Sequence, residues 1–184
     1  MIRYMIASDL HGSSYYGQML FERFEEERPL KLLLLGDLLY HGARNDLPEK
    51  YDTRALTAVL NRYKDHILAV RGNCDSEIDQ TVLEFPIMSD YLELFADGRV
   101  FVMTHGHIFD EHSMIPHTRG TVLLHGHTHV GVMERCSDFY FMNPGSVALP
   151  KDGPIHTYMT YEGGMFSLKN VENGHVLRTF ELTF

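Results

Sequence analysis

Seven side chains of metal-binding type fall in a fixed order along this chain, each at the downstream end of an apolar run: Asp9 and His11, Asp37, Asn73, His105, then His127 and His129. Carboxylate, imidazole and amide oxygen together suit divalent ions such as Mn, Fe, Zn or Co, whereas a thiolate-rich set would indicate structural zinc. Seven ligands exceed the needs of one tetrahedral ion. They fall short of saturating two octahedral ions unless one residue bridges and water completes the shells, and positions open to water are what hydrolysis needs. The order therefore reads as a two-metal hydrolase site.

The flanking residues agree. The ligands lie in Asp9-Leu10-His11-Gly12, Gly36-Asp37, Gly72-Asn73, His105-Gly106-His107 and Gly126-His127-Thr128-His129, and glycine lets a chain turn sharply beside a ligand. Asp9 and His11 are two residues apart, as are His127 and His129, so from an extended segment each pair would point the same way and chelate from one loop. An isolated pair of this kind is incidental more often than not, but five blocks in this order are much harder to assemble by chance. The chain has 12 histidines, and His41, His66, His107, His112, His117, His125, His156 and His175 are most simply surface, loop or packed residues.

Short apolar runs must carry the ligands. Residues 2–7, 31–35, 66–70, 100–104 and 121–124 are each followed by a glycine and a ligand type, and read as buried strands. Tyr16, Leu20 and Phe24 recur at helical spacing between the first two runs, as do Leu56, Val59, Leu60 and Tyr63 between the next two. Both segments predict amphipathic helices. Strand, ligand, helix, strand, ligand, helix is the rhythm of a parallel sheet, which gathers its ligands at the carboxyl ends of its strands. Asp97-Gly98, between residues 91–95 and 99–103, is a hairpin signal that turns the second half towards antiparallel pairing. Residues 156–161, 165–171 and 176–182 read as strands joined by glycine-bearing turns. With no ligand block among them, they are expected to form a second sheet that completes the core.

With these blocks in place, the sequence resembles the calcineurin-like metallophosphoesterase superfamily, whose pattern runs Asp-x-His, Gly-Asp, Gly-Asn-His-Asp/Glu, His, Gly-His-x-His. The resemblance spans residues 1 to about 146 and includes Asn143-Pro144-Gly145-Ser146, a tetrapeptide common in its small bacterial members. It implies an α/β fold, α+β by some criteria: a two-sheet β-sandwich flanked by helices. It also implies that Asp9, His11 and His129 hold one divalent ion, that Asn73, His105 and His127 hold the other, and that Asp37 bridges. Bridging suits a carboxylate. Asp37 and Asn73 are then catalytic as well as ligating, and a hydroxide between ions roughly 3.5–4 Å apart would attack phosphorus in line, opposite the leaving alkoxide. Among the ions, the resemblance puts Mn first, with Zn, Fe, Co and Ni as alternatives.

Cys74 departs from the pattern, standing where many members carry a histidine thought to contact the phosphate and assist the leaving group. Either it is a small residue that fits the loop beside Asn73, the preferred reading because metal chemistry already supplies a nucleophile, or its thiol takes part. The missing histidine should weigh most on esters with poor leaving groups, where a proton must be delivered. Cys74, Arg44 and His107 are candidate substrate contacts, with Asn45 beside Arg44. Asp75 is either a partner that orients a ligand or a turn residue. The long loop over residues 108–119 is expected to cover the site or contact another subunit, which leaves a homo-oligomer open.

Composition bounds the rest. A chain of 184 residues makes one domain over 1–184 the default, able to bury roughly 70 % of its unfolded surface without disulfides. Its two cysteines build no disulfide framework, and no long apolar stretch or basic leader points to a membrane or a signal peptide. A cytoplasmic location is expected. The net charge of −9 argues against a polymeric nucleic-acid partner, which calls for a basic stripe. Two bound divalent ions would make the cleft locally positive, so the expected partner is a small soluble phosphodiester. A phosphomonoesterase or nucleotide hydrolase on the same metals is the second reading. The third is a protein-binding scaffold, as in the retromer subunit that shares this fold with a degraded metal site, and a complete ligand set speaks against it.

Overall fold

The computed structural model of the chain describes residues 3–183; position 2, where the first strand is expected to begin, lies outside them. Strand β1 (Arg3–Ala7), helix α1 (Ser14–Glu27), β2 (Lys31–Leu34), α2 (Thr53–Arg62) and β3 (Ile67–Ala69) follow the predicted alternation, and the three strands pair in parallel. Successive residues of a strand face opposite sides, which here means opposite layers. Met5, Ala7, Leu32 and Leu34 meet Leu20, Phe21, Phe24, Leu56 and Leu60 of the helices, while Tyr4, Ile6, Leu33 and Leu35 face a second sheet. Both faces are covered, so these strands are apolar throughout rather than alternating. The helices begin where side chains replace missing backbone partners: the Tyr16 amide donates to Ser13 Oγ at 3.3 Å and the Ala55 amide to Asp52 Oδ1 at 3.0 Å.

The second sheet contains β4 (Tyr91–Ala96), β5 (Arg99–Thr104), β6 (Thr121–Leu124), β7 (Gly131–Arg135) and β8 (Phe139–Pro144), in the order β4-β5-β6-β8-β7. The Asp97-Gly98 hairpin forms as predicted, with φ of 50° and 75° and β4 antiparallel to β5. β6 then runs parallel to both β5 and β8. The sequence reading leaves out β7, β8 and the short helix α3 (Glu77–Val82).

The tail corrects one expectation. β9 (Thr157–Glu162), β10 (Met165–Asn170) and β11 (Val176–Glu181) do not build the second sheet but extend the first, in the order β11-β10-β9-β1-β2-β3, with β9 antiparallel to β1. β9 has no polar face to leave in water: Tyr158 packs into the helix layer, and Met159 and Tyr161 pack between the sheets. Pairing with β1 buries both of its faces and also satisfies an edge of β1 that would otherwise be bare. The architecture remains two mixed sheets face to face with helices outside.

The loop over residues 108–119 does not line the ligand cleft, which corrects the expectation that it covers the site. Met114 and Ile115 pack on the outer face of the second sheet, against Val102, Leu123, Phe139 and Phe141, and Glu111 pairs with His125 at 2.8 Å. These residues cover an apolar sheet face rather than the ligand rim.

Candidate metal centre

All five ligand blocks lie just beyond the carboxyl ends of β1, β2, β3, β5 and β6, on one rim of the two sheets. The local backbone is not extended. Asp9 (φ 58°), His11 (44°), Asp37 (55°), His127 (65°) and His129 (61°) are left-handed, and they make up five of the eight non-glycine residues with positive φ among the described residues. Such conformations cost of order 1–3 kcal/mol each and persist where surrounding structure imposes them; Asp and His are among the types that tolerate them. The expectation of extended segments is therefore corrected for both pairs; Asp9 and His11 still offer ligand atoms to one group, whereas His127 and His129 part. His129 instead faces His11 and Asp9, while His127 stands beside His105, with ring centroids 5.0 Å apart.

Side chains from distant blocks converge. His11 Nε2 lies 3.2 Å from His129 Nε2, and Asp9 Oδ1 lies 3.6 Å from the first and 3.3 Å from the second. Asp37 Oδ2 stands between the two halves, 3.7 Å from His11 Nε2 and 3.4 Å from His105 Nε2. On the far side His105 Nε2 lies 3.1 Å from Asn73 Oδ1. Asp9, His11 and His129 offer ligand atoms within 4.8 Å of one another, as do Asp9, Asp37 and His105.

Two features show that this donor set fits divalent metal. First, three imidazoles are oriented from behind: Nδ1 of His11, His105 and His129 lies 2.9, 2.6 and 2.5 Å from the carbonyls of Tyr40, Leu35 and Leu149. A proton on each Nδ1 leaves the Nε2 lone pair facing the centre. Second, Asp9 Oδ1 is buried without a hydrogen bond, although buried polar atoms are nearly always satisfied. Lone pairs and an orphaned carboxylate oxygen pointing at one small space call for a cation.

The charges agree. Burial alone would raise Asp9, but its contacts with His11 and His129 and the nearby imidazole charge hold it well below the usual carboxylate range. Burial likewise opposes the ionised form of Asp37 and is outweighed by His105. For His105, burial favours the neutral ring, yet the hydrogen bond to Asp37 and the charges of Asp9 and Asp37 raise it from 6.5 to about 9. A histidine raised on folding contributes stability that is complete below its unfolded value and is lost as pH rises through its folded value. The metal-free protein should therefore lose stability between pH 6.5 and about 9, while metal, which competes with the proton for the ring nitrogen, should stabilise more as pH rises. Melting curves with EDTA and with Mn2+ across that window check this; a gap in Tm that stays constant with pH would refute it.

A second layer fixes the ligand loops. The Asp75 carboxylate is buried and accepts from the amides of Asp37 (2.9 Å), Leu38 (2.8 Å) and Gly72 (2.7 Å), tying the loop after β2 to the loop after β3. This supports the orienting role over the turn reading. The Cys74 amide donates to Asp37 Oδ1 at 2.8 Å and the His127 amide to Asp9 Oδ2 at 3.1 Å. The Asn143–Ser146 segment braces the opposite side: Asn143 Nδ2 donates to the Gly126 carbonyl and Ser146 Oγ to that of Asp9. Gly72 has no room for a side chain, because a Cβ would fall on Asp37. Asp75→Ala should strand three buried amides at about 1–3 kcal/mol each. Asp75→Asn, which keeps one acceptor, should weaken Mn2+ affinity by roughly 10–100-fold, with Asp75→Glu recovering part of it. Calorimetric titration with Mn2+ measures this, and unchanged affinity in Asp75→Asn would remove the positioning role.

The cleft over the ligands has a volume of about 710 Å3 and is lined by Asp37, Asn73, His127 and His129 together with Tyr40, Arg44, Asn45, Cys74 and Lys151. Arg44 and Cys74 are thus among its lining residues. His107 is not among its lining residues; its ring stands edge-on to His105 at 5.3 Å, with Nδ1 buried and unpaired. Lys151 is missing from the sequence reading. Its place follows from a backbone bond, Lys151 N–H to the His129 carbonyl at 3.1 Å, which no spacing rule reveals. Several other histidines are packed, as expected: His156 stacks on Tyr16 at 3.6 Å and His125 on Phe141 at 4.4 Å.

Comparison with known proteins gives the same reading. Phosphodiesterase YfcE of Escherichia coli (strain K12) is 38 % identical over 168 residues, 91 % of each protein. A solved structure of Yfce, described as a phosphoesterase from E. coli, superposes with a TM-score of 0.96 at 34 % identity, covering 99 % of this chain and 100 % of that one. Vps29 of Entamoeba histolytica, solved in complex with Zn2+, matches with a TM-score of 0.63 over 99 % of this chain and 100 % of its own; at 17 % identity it shares the fold alone. The Calcineurin-like phosphoesterase superfamily domain matches residues 2–163, and with that coverage and the ligand rim in place, the chain belongs to the calcineurin-like phosphoesterase superfamily.

Proposed function

We propose that this protein is a phosphodiesterase for small phosphodiesters that works with two divalent ions, Mn2+ foremost, within one catalytic domain. The observation that carries the reading is the convergence of Asp9 Oδ1, His11 Nε2 and His129 Nε2 on one side of Asp37, with His105 Nε2 and Asn73 Oδ1 on the other. On this arrangement Asp9, His11 and His129 would hold one ion, Asn73, His105 and His127 would hold the second, and Asp37 would serve both. When bound, such ions would supply activated water and charge neutralisation at the phosphoryl oxygens. The chain's own contribution is to hold the imidazole lone pairs inward and to present Arg44 and Lys151 at the cleft, where a phosphate anion is drawn in against the overall charge of −9.

Cys74 fits as a passive residue. Its Sγ lies 3.2 Å from Asn73 Nδ2, and in the metal-free centre burial together with the Asp37 carboxylate pushes its thiol up to about 12, so that without metal the thiolate that acts as nucleophile is scarce near neutral pH. A cysteine at this position offers no imidazole to protonate a leaving group. Wild type should therefore hydrolyse activated aryl diesters well and poor-leaving-group esters, monoesters included, badly. Cys74→Ala should keep most activity on the activated diester, while Cys74→His should narrow the gap, since a general acid contributes roughly 10²- to 10⁴-fold only where a proton must be delivered. The test is kcat/KM for the three proteins over diesters and monoesters of graded leaving-group pKa. A collapse of Cys74→Ala on every substrate, with metal content intact, would make the thiol a participant; a preference for monoesters would overturn the diesterase reading.

A further inference from the structure

Tyr40 belongs to two cavities. One face of its surroundings is the ligand cleft; the other is an adjoining groove of about 520 Å3. Ser76 lines the cleft and Ile78, two residues on, lines the groove, so the two spaces meet along Tyr40 and the start of α3. The chemistry changes across that border. Where the cleft has Arg44, Lys151 and the ligands, the groove has Leu39, Tyr51, Ala58, Ile78 and Val82, with Arg54 and Asp79 as its charged residues. Ile78 is 74 % exposed and Val82 47 %, on one side of α3 at i and i+4, and Tyr40 itself is 42 % exposed. Contiguous exposed apolar surface beside a polar cleft marks a place that something covers.

The groove's walls indicate the shape of the occupant. Tyr40 stands edge-on to His41 at 4.7 Å and His41 edge-on to Tyr51 at 5.3 Å, giving a braced aromatic wall. The aliphatic Ile78 and Val82 contribute the α3 side. A slot between aromatic and aliphatic walls suits a flat ring, which gains from ring contacts as well as from area. A phosphodiester carries two organic arms, and when its phosphate sits at the ligand rim an arm that crosses the Tyr40 border enters this groove. We propose that the groove is a substrate subsite for a planar aromatic arm of the diester, so that the enzyme selects aryl-type diesters over small alkyl ones. This rests on the phosphodiesterase reading given above.

Diphenyl phosphate and dimethyl phosphate separate the two claims, because both are slow to react and their binding can be read directly by calorimetry or competition on the Mn2+-loaded protein. Diphenyl phosphate should bind at least about tenfold tighter, the ratio given by burying about 55 Å2 of ring at about 25 cal/mol per Å2. Ile78→Asp, at an exposed position in the first turn of α3 where a carboxylate is tolerated, should remove most of that advantage and leave dimethyl phosphate within about twofold. Val82→Ser is the independent second variant and should act in the same direction. Equal binding of the two diesters by wild type, or an advantage that survives both variants, overturns the subsite. If the wild type is a dimer that Ile78→Asp splits, with no discrimination between the diesters, the groove belongs to a second copy of the chain. Hydrolysis of bis(4-nitrophenyl) phosphate reports separately on the diesterase reading: if it is absent while diphenyl phosphate still binds in an Ile78-dependent way, that reading fails and the aromatic site stands.

Discussion

Treatment with EDTA should abolish hydrolysis of an activated aryl diester, by at least about 10³-fold, and added Mn2+ should restore it. The expectation follows from what the centre lacks without metal. Asp9 Oδ1 is buried without a hydrogen bond, and the Nε2 atoms of His11 and His129 face one another at 3.2 Å; none of the surrounding groups supplies an activated nucleophile, and Cys74 holds its proton. Metal analysis of the active protein should give two ions per chain, with activity and content lost together on chelation. Full activity in metal-free protein would remove the basis of the proposed mechanism. One ion at full activity would leave metal dependence intact and refute the shared role of Asp37.

Asp37→Asn should lower kcat/KM more than His11→Ala does, by at least about 10³-fold against about 10- to 10²-fold at saturating Mn2+. Asp37 Oδ2 is the carboxylate oxygen that approaches both His11 and His105, so its loss weakens both halves of the centre, whereas water can take the place of one imidazole among several ligands. The backbone makes the comparison informative. Asp37 has φ 55°, a conformation asparagine tolerates, so Asp37→Asn tests the charge rather than the loop. His11 has φ 44°, where alanine carries roughly 1–2 kcal/mol of strain; the stability of His11→Ala must therefore be measured alongside its kinetics. Turnover of Asp37→Asn close to wild type at saturating Mn2+ would show that Asp37 does not serve two ions.

The ligand types, their order and the strands that carry them were legible in the sequence, because covalent neighbours set them: an apolar run makes a buried strand, and the residues that follow must lie at its end. The helices α1 and α2 and the Asp97-Gly98 hairpin were legible for the same reason, since helical spacing and turn chemistry act over a few residues. Local pattern did not reach further. It marked the tail strands but not their partner, because strand pairing is decided by which arrangement buries both faces of β9 and covers the edge of β1. It gave the Asp9–His11 and His127–His129 spacing but not the left-handed backbone that sends His127 towards His105 and His129 towards His11. The grip of Asp75 on three amides, the carbonyls behind three imidazoles, the arrival of Lys151 at the cleft and the apolar groove beyond Tyr40 all join residues far apart in the chain. Sequence alone determined which chemistry this protein carries; tertiary structure decided how its donors are aimed and what surrounds them, because orientation and enclosure depend on contacts between segments that close only when the two sheets pack.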